Sequence, residues 1–596
     1  MRIHITVGAV SLALASLAGQ AATPLQPGDP LVSQQWFLQN TGQNAFSQRG
    51  GVAGIDLNLA LSHSRNILGR GVTVTVIDDG LEIRHPDLAG NVVPGSKNLA
   101  NNSDDPTPSL ATDSHGTAVA GIAAAVGFNN LGGRGVAPSA SLNGFNWLKA
   151  QTTAGWMLSH GKSPNDGAGQ SSTSSRVFNQ SYGSSAIRSI PGNPDTDMTL
   201  RVRDEAHEDV SLRSNGGKGA VFVKSAGNAF SSFQSGTGSD GKPTYILAKS
   251  GNDGLPMQDS NLTTDNSNYW NVVVSALNAD GVRSSYSSVG ANVLLTSPGG
   301  EYGTASPAMV TTDLVGCDRG SNSTLRPSTN QLHGGTALDP NCDYRGTMNG
   351  TSAAAPAASG SFALLMAAYP NLSARDVRHL LIKSARKVDA NHPGVTLAFK
   401  DAKGGAHSYQ ALPGWRNNAA GLAFHPFYGF GLIDVDKAVE LGRNHTPLAA
   451  LEKTRWQTVS VMKAIPDANE AGVESAYNHA DDLTVEAVQV LVDAQHGRAN
   501  DLAVELISPA GTRSVLLSPR TSLVNENYGL NQQRLLSNHF YGESARGQWR
   551  LRVIDTNGAE YYYDYRDGQG QRTLSLPNAT GTLRSWSIRF IGHKGA

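Results

Sequence analysis

Cysteine is nearly absent. Cys317 and Cys342 are the only two in 596 residues, which excludes a disulfide-dense scaffold, and neither has the close spacing partner that thiolate zinc sites use. One pairing is available, and in an exported chain it closes a loop worth about 3 kcal/mol; two buried thiols are the alternative. Charge is scarce too. Asp, Glu, Lys and Arg make up 16% of the residues, and 47 basic against 48 acidic side chains leave a net charge of -1, so no global field favours nucleic acid or an anionic membrane. Beyond the N-terminus no stretch stays apolar for the ~20 positions that a membrane-crossing helix needs. Other signatures are also missing. His207-Glu208 lacks the second histidine of a zinc-peptidase helix, Asn179 stands where a Gly-x-Ser-x-Gly elbow around Ser181 needs glycine, and Leu200 stands where a calcium loop needs glycine.

What is abundant is glycine, with 66 residues, well above the ~7% of an average protein, as expected of a loop-rich secreted chain. Arg2, an apolar run over 3–17 and the small residues Ala18-Gly19-Gln20-Ala21-Ala22 read as a signal peptide over 1–21, so the mature protein is expected outside the cytoplasm. From about residue 70 to 440, short β-branched runs alternate with Ala-rich helical stretches. This pattern predicts an α/β domain over 22–445, a parallel sheet with helices on both faces. After about residue 450 the helical runs vanish, and strand-like segments at 485–492, 502–506, 549–554 and 586–591 predict an all-β sandwich over 446–596. Ser, Gly and Asn crowd 160–190 and 229–268, which read as surface loops.

The chemistry gathers at the ends of the first domain's strands. The apolar run 72–77 leads into Asp78-Asp79-Gly80, a carboxylate beyond the carboxyl end of a buried strand, where open α/β sheets bind ligands. His115-Gly116-Thr117 opens a helix, and Gly350-Thr351-Ser352 opens another, with Pro356 expected in its first turn. Each alone is weak, since an Asp-Gly turn is common, a serine at a helix start is usually an N-cap, and a histidine there is usually structural. Together, with glycines allowing close backbone approach, they run Asp, His, Ser, one of the chain orders of the acyl-transfer triad.

These segments resemble the three signatures of the subtilisin-like serine peptidases: Asp78-Asp79-Gly80, His115-Gly116-Thr117-Ala118-Val119-Ala120-Gly121 and Gly350-Thr351-Ser352-Ala353-Ala354-Ala355-Pro356. The Asp-Asp-Gly and Ala-Ala-Ala-Pro variants are similar to the kexin and furin branch. Asn500-Asp501-Leu502, Gly547-Gln548-Trp549 and Ser585-Trp586-Ser587 resemble that branch's C-terminal P-domain. The resemblance implies a secreted endopeptidase acting on proteins or peptides, with Ser352 as nucleophile, His115 as its base, Asp78 orienting the imidazole and Asn228, in Ser225-Ala226-Gly227-Asn228, donating to the oxyanion. It implies that Ser181-Tyr182-Gly183 lines the first specificity pocket and that Asp79 and Asp113 shape a basic second subsite. The family's carboxylates after Ser-Trp-Gly are replaced by Ser184, Ser185 and Ala186, so Asp259 and Glu301 are the residues expected to restore a negative first pocket.

The resemblance further implies structural calcium, with Asp56, Asp87, Asn129 and the Val126, Leu131 and Gly133 positions as ligands, and Glu301 counted with them. Asp29-Pro30-Leu31 through Gly42 is similar to the start of the family's mature domain, which leaves no room for a propeptide and implies unaided folding or a separate exported chaperone. No nucleic acid or membrane partner is expected. Two other functions remain open at this point: an inactive scaffold binding a partner through its β-domain, and a serine esterase.

Overall fold

The computed structural model describes residues 23–595 except 185, 238–242, 249–250 and 526–527; the expected signal peptide lies outside the described residues. Six strands, β1 (Thr73–Ile77), β2 (Ser141–Phe145), β3 (Val177–Gln180), β4 (Val221–Ser225), β7 (Asn271–Leu277) and β8 (Val293–Pro298), form a parallel sheet in the order β2-β1-β3-β4-β7-β8; β5 (Phe233–Thr237) and β6 (Pro243–Ala248) lie outside it. The period of two divides each strand between two cores. Val74, Val76, Val221, Val223, Val272 and Val274 face the helices α1 (His115–Ala124) and α3 (Thr351–Ala368), while Ile77, Phe178 and Phe222 face α2 (Met198–Arg213) through Ala206 and Val210. With both faces covered the strands are buried at nearly every position. Their carboxyl ends are therefore the part of the sheet left for chemistry.

The C-terminal region is the expected antiparallel sandwich. Thr484–His496 pairs with Gly581–His593 in one sheet, Leu502–Ile507 with Gly547–Asp555 in the other, and Trp549 and Trp586 fill the space between. Cys317 and Cys342 are bonded, closing a segment with a sequence separation of 25.

Three expectations need correction. The stretch 160–190 carries β3, buried in the middle of the sheet. The stretch 229–268 is not simply loop, because β5 and β6 form a hairpin whose second strand pairs with Tyr561–Asp567 of the C-terminal region in a separate four-stranded sheet, matching Ile246 with Tyr565 and Leu247 with Asp564. Composition hides both, since pairing to a distant strand leaves no local signal. Pro356 lies in the second turn of α3, because the helix starts at Thr351. There its missing N–H frees the Ser352 carbonyl, which accepts the Ser181 hydroxyl instead at 2.8 Å.

Candidate active site

Asp78 follows β1 directly and is fully buried, its own N–H donating to the Phe145 carbonyl of the neighbouring strand. Its Oδ1 accepts the Asp79 N–H and faces His115 Nδ1, both at 2.8 Å. Gly116 makes this approach feasible: a Cβ there would sit 2.0 Å from the Gly80 carbonyl oxygen and 2.9 Å from Asp78 Cβ. Burial works against charge on His115, but the Asp78 charge and hydrogen bond, followed by the Asp79 charge, outweigh it and hold the imidazole above its usual 6.5.

Ser352 occupies the second position of α3. Gly350, just ahead of the helix, has φ of 106°, a conformation that side-chain-bearing residues rarely adopt. The Asn228 side chain is fixed by its oxygen, which accepts both the N–H and the hydroxyl of Thr351 at 2.9 Å. Its amide NH2 is thereby left for the cleft between β4 and α3. The Ser352 hydroxyl donates to the Ser181 carbonyl at 2.9 Å, not to His115. Ser352 and Asn228 thus line one opening, with the hydroxyl turned toward the Ser181 carbonyl, and the Asp78–His115 pair stands at the start of α1, which packs against α3.

That opening continues into a cleft of about 290 Å³ lined by Tyr182, Gly183, Ser225, Asn228, Gln258 and Asp265 among others. Tyr182 and Gly183 line it as expected. Asp259 does not, because it caps a short helical turn and accepts from Asn261 N–H at 3.0 Å and from the Ser518 N–H and hydroxyl at 3.1 and 3.2 Å, joining the two domains. Burial raises its carboxyl to about 6. Asp265, six residues on, is the acid of the cleft, and its carboxylate has no ion pair or hydrogen bond among the described residues. Glu301 is elsewhere, accepting from Ser285 N–H and hydroxyl at 2.8 and 2.7 Å.

The two acids of the expected second subsite are both engaged. Asp79 accepts from Gly116 N–H at 2.8 Å and His115 N–H at 3.2 Å, clamping the start of α1, and burial together with Asp78 raises its carboxyl to about 6. Asp113 pairs with Lys149 at 2.8 Å. The charge of both acids is therefore already partly used within the protein.

Of the expected calcium ligands, Asp87 and Asn129 meet at 2.8 Å. Asp56 is not with them; its oxygens accept Asn40 and Asn58 N–H, and Arg386 lies beside it. The acid that joins Asp87 is Asp29, which accepts Asn129 and Phe128 N–H and pairs with Arg134 at 2.6 Å. Asp29 opens the segment already singled out as the start of the mature domain, and that was the available clue. Burial, with the Asp29 charge adding to it, pushes the Asp87 carboxyl up to about 7, and its Oδ2 is buried without a partner. Val126 N–H donates to the Asp87 carbonyl at 2.8 Å and Leu131 N–H to Asn129 Oδ1 at 3.0 Å, which wraps the loop through Gly133 around these acids.

A parallel α/β sheet with acid, histidine and serine at its carboxyl edge defines a serine hydrolase of the subtilisin-like fold. Residues 69–431 match the subtilase family and residues 485–562 match the proprotein convertase P-domain, so the chain belongs to the subtilase family of serine proteases and carries a P-domain. It is 50% identical over 590 residues to the Aeromonas extracellular serine protease of Aeromonas sobria, covering 95% of this chain and 91% of that one. Human neuroendocrine convertase 2 is 26% identical over 582 residues, covering 95% and 74%. The crystal structure of the Aeromonas sobria serine protease superimposes with a TM-score of 0.91 at 47% identity, covering 97% of this chain and 99% of that one. A second crystal structure, of that protease in complex with a chaperone, matches with a TM-score of 0.90, covering 96% of each chain.

Proposed function

We propose that this protease is exported and hydrolyses peptide bonds through Ser352, His115 and Asp78, preferring a basic side chain in the cleft. The carrying observation is the bonded Asp78 and His115 at the start of α1, together with Ser352 and Asn228 in the wall of one cleft at the start of the adjoining α3. When substrate binds, the Ser352 hydroxyl leaves the Ser181 carbonyl and gives its proton to His115 Nε2 as Oγ attacks the scissile carbonyl carbon. Negative charge then forms on the carbonyl oxygen, where the Asn228 amide and the N–H groups at the start of α3 receive it. His115 returns the proton to the leaving amine, and water repeats the cycle on the acyl-enzyme. Asp78 holds the imidazole in the tautomer with Nδ1 protonated and offsets the charge it acquires. Asp265 supplies the negative charge of the cleft. Ser352→Ala and His115→Ala should each abolish hydrolysis to a similar extent with the fold kept; substantial turnover by folded, uncontaminated Ser352→Ala protein removes Ser352 from the nucleophile's role.

Export is supported by the name of the extracellular Aeromonas relative. Structural calcium is supported by the unpartnered Asp87 Oδ2, a hard oxygen beside a second acid. Asp29, Asp87, Asn129 and the carbonyls of Val126, Leu131 and Gly133 would hold the ion, which would tie the N-terminal segment to the loop. A separate exported chaperone is supported by the relative crystallised with one. Expressing residues 22–596 alone with calcium and titrating active sites with a serine-directed inhibitor tests it: a small active fraction is expected, and near-stoichiometric labelling refutes the requirement.

A further inference from the structure

The cleft that contains Asp265 also contains a cation. Lys224 is the fourth residue of β4, on the same side of the strand as Phe222, and it is completely buried. At that position an all-apolar strand would be the simpler choice. Its ammonium reaches under the specificity strand: Nζ donates to the Tyr182 carbonyl, lies 4.9 Å from the centre of the Tyr182 ring, and would be 3.4 Å from a Cβ on Gly183. Lys224 and Asp265 are both part of the cleft wall, yet no ion pair joins them, and the Asp265 carboxylate is free to receive a substrate cation. Burial lowers the Lys224 ammonium to about 8 against the pull of Asp265. A buried lysine is costly unless something requires it, and the catalytic steps above leave it unused.

We infer that Lys224 is a specificity-determining residue, a resident cation in the cleft that offsets Asp265 and so reduces discrimination between basic and neutral side chains at the cleaved bond. A carboxylate in a cleft attracts an arginine or lysine side chain through its charge, and a fixed positive charge in the same low-dielectric pocket subtracts from that attraction. Neutral side chains feel neither. The inference rests on the cleft being the pocket for the residue before the scissile bond, as proposed above.

The test is kcat/KM on two peptides that differ only in Arg or Leu before the scissile bond, with active sites titrated and thermal unfolding followed for every variant. Lys224→Met should raise the Arg-to-Leu ratio about tenfold or more, Lys224→Gln should do the same if the Met variant does not fold, and the charge-conserving Lys224→Arg should leave the ratio within about twofold of the parent. Asp265→Asn should lower the ratio toward one, and adding Lys224→Met to it should then change the ratio little, because the charge being offset is gone. Parallel losses on both peptides in folded Lys224→Met and Lys224→Gln, with the ratio unchanged while Asp265→Asn still lowers it, make Lys224 a structural residue and overturn the inference. A ratio indifferent to Asp265→Asn overturns the reading of the cleft itself.

Discussion

Replacing Asn228 by Asp separates oxyanion stabilisation from local architecture. The Asn228 side-chain oxygen holds two Thr351 groups at 2.9 Å, and an aspartate of nearly the same shape retains both acceptances. Only the NH2 is lost, replaced by an oxygen with negative charge. Removing one such donor costs about 10²- to 10³-fold in kcat, about 3–4 kcal/mol, and repulsion between the carboxylate and the developing oxyanion adds to it. If Asn228 served only to shape the turn, Asn228→Asp would be nearly silent, while Asn228→Ala, which gives up both bonds at about 1 kcal/mol each, would be the damaging change. The assay is kcat and KM on a chromogenic peptide, normalised by active-site titration, beside the thermal unfolding midpoint. We expect kcat to fall at least 100-fold in Asn228→Asp with KM changed only a few-fold and the fold retained. A folded Asn228→Asp enzyme with kcat within tenfold of the parent refutes the donor role.

Three further outcomes are expected. With neutral His115 as the proposed base and its imidazole held above 6.5, kcat/KM should fall as pH drops through a midpoint above that value, and Asp79→Asn, which removes one source of the upward shift, should move the midpoint down; an unmoved midpoint detaches Asp79 from the imidazole. Added calcium should raise the thermal unfolding midpoint of the parent and not of Asp87→Asn, whereas equal shifts in both would place the ion elsewhere. Asp259→Ala removes three hydrogen bonds, two of them to Ser518, and should cost about 2 kcal/mol or more in unfolding stability while kcat per titrated site holds; a specific fall in turnover on Arg peptides would return Asp259 to the cleft.

The residues legible in the sequence are those whose position is set locally. A strand end fixes Asp78, and helix starts fix His115 and Ser352, so glycine punctuation and β-branched runs are enough to find them. The acids misread are those placed by loops. Asp259 and Asp265 lie six residues apart in a Ser-, Asn- and Thr-rich stretch with no periodicity, and the choice between them is made by Ser518, which takes Asp259 into the domain junction. Asp29 and Asp56 are the same residue type, both early in the chain. What selects Asp29 is contact with Phe128 and Asn129, about a hundred positions further on. Lys224 escaped because Val221-Phe222-Val223-Lys224-Ser225 reads as an apolar strand with a polar end, and the side chain's path beneath Tyr182 depends on how neighbouring strands are ordered.

The same non-locality bears on how the cleft is completed. Gln234 of β5 and Tyr245 of β6 are part of its wall, and β6 is held on its far side by Tyr561–Asp567 of the C-terminal region. One wall of the cleft therefore rests on a strand more than three hundred residues further along the chain. Pairing at such separation meets its loop-closure entropy before any contact repays it. The hairpin alone is too small to be stable in water without further strands. Its order, and with it the shape of the cleft, accordingly depends on the P-domain having folded and docked, through Asp259 with Ser518 and Asp204 with Arg534 at 2.7 Å.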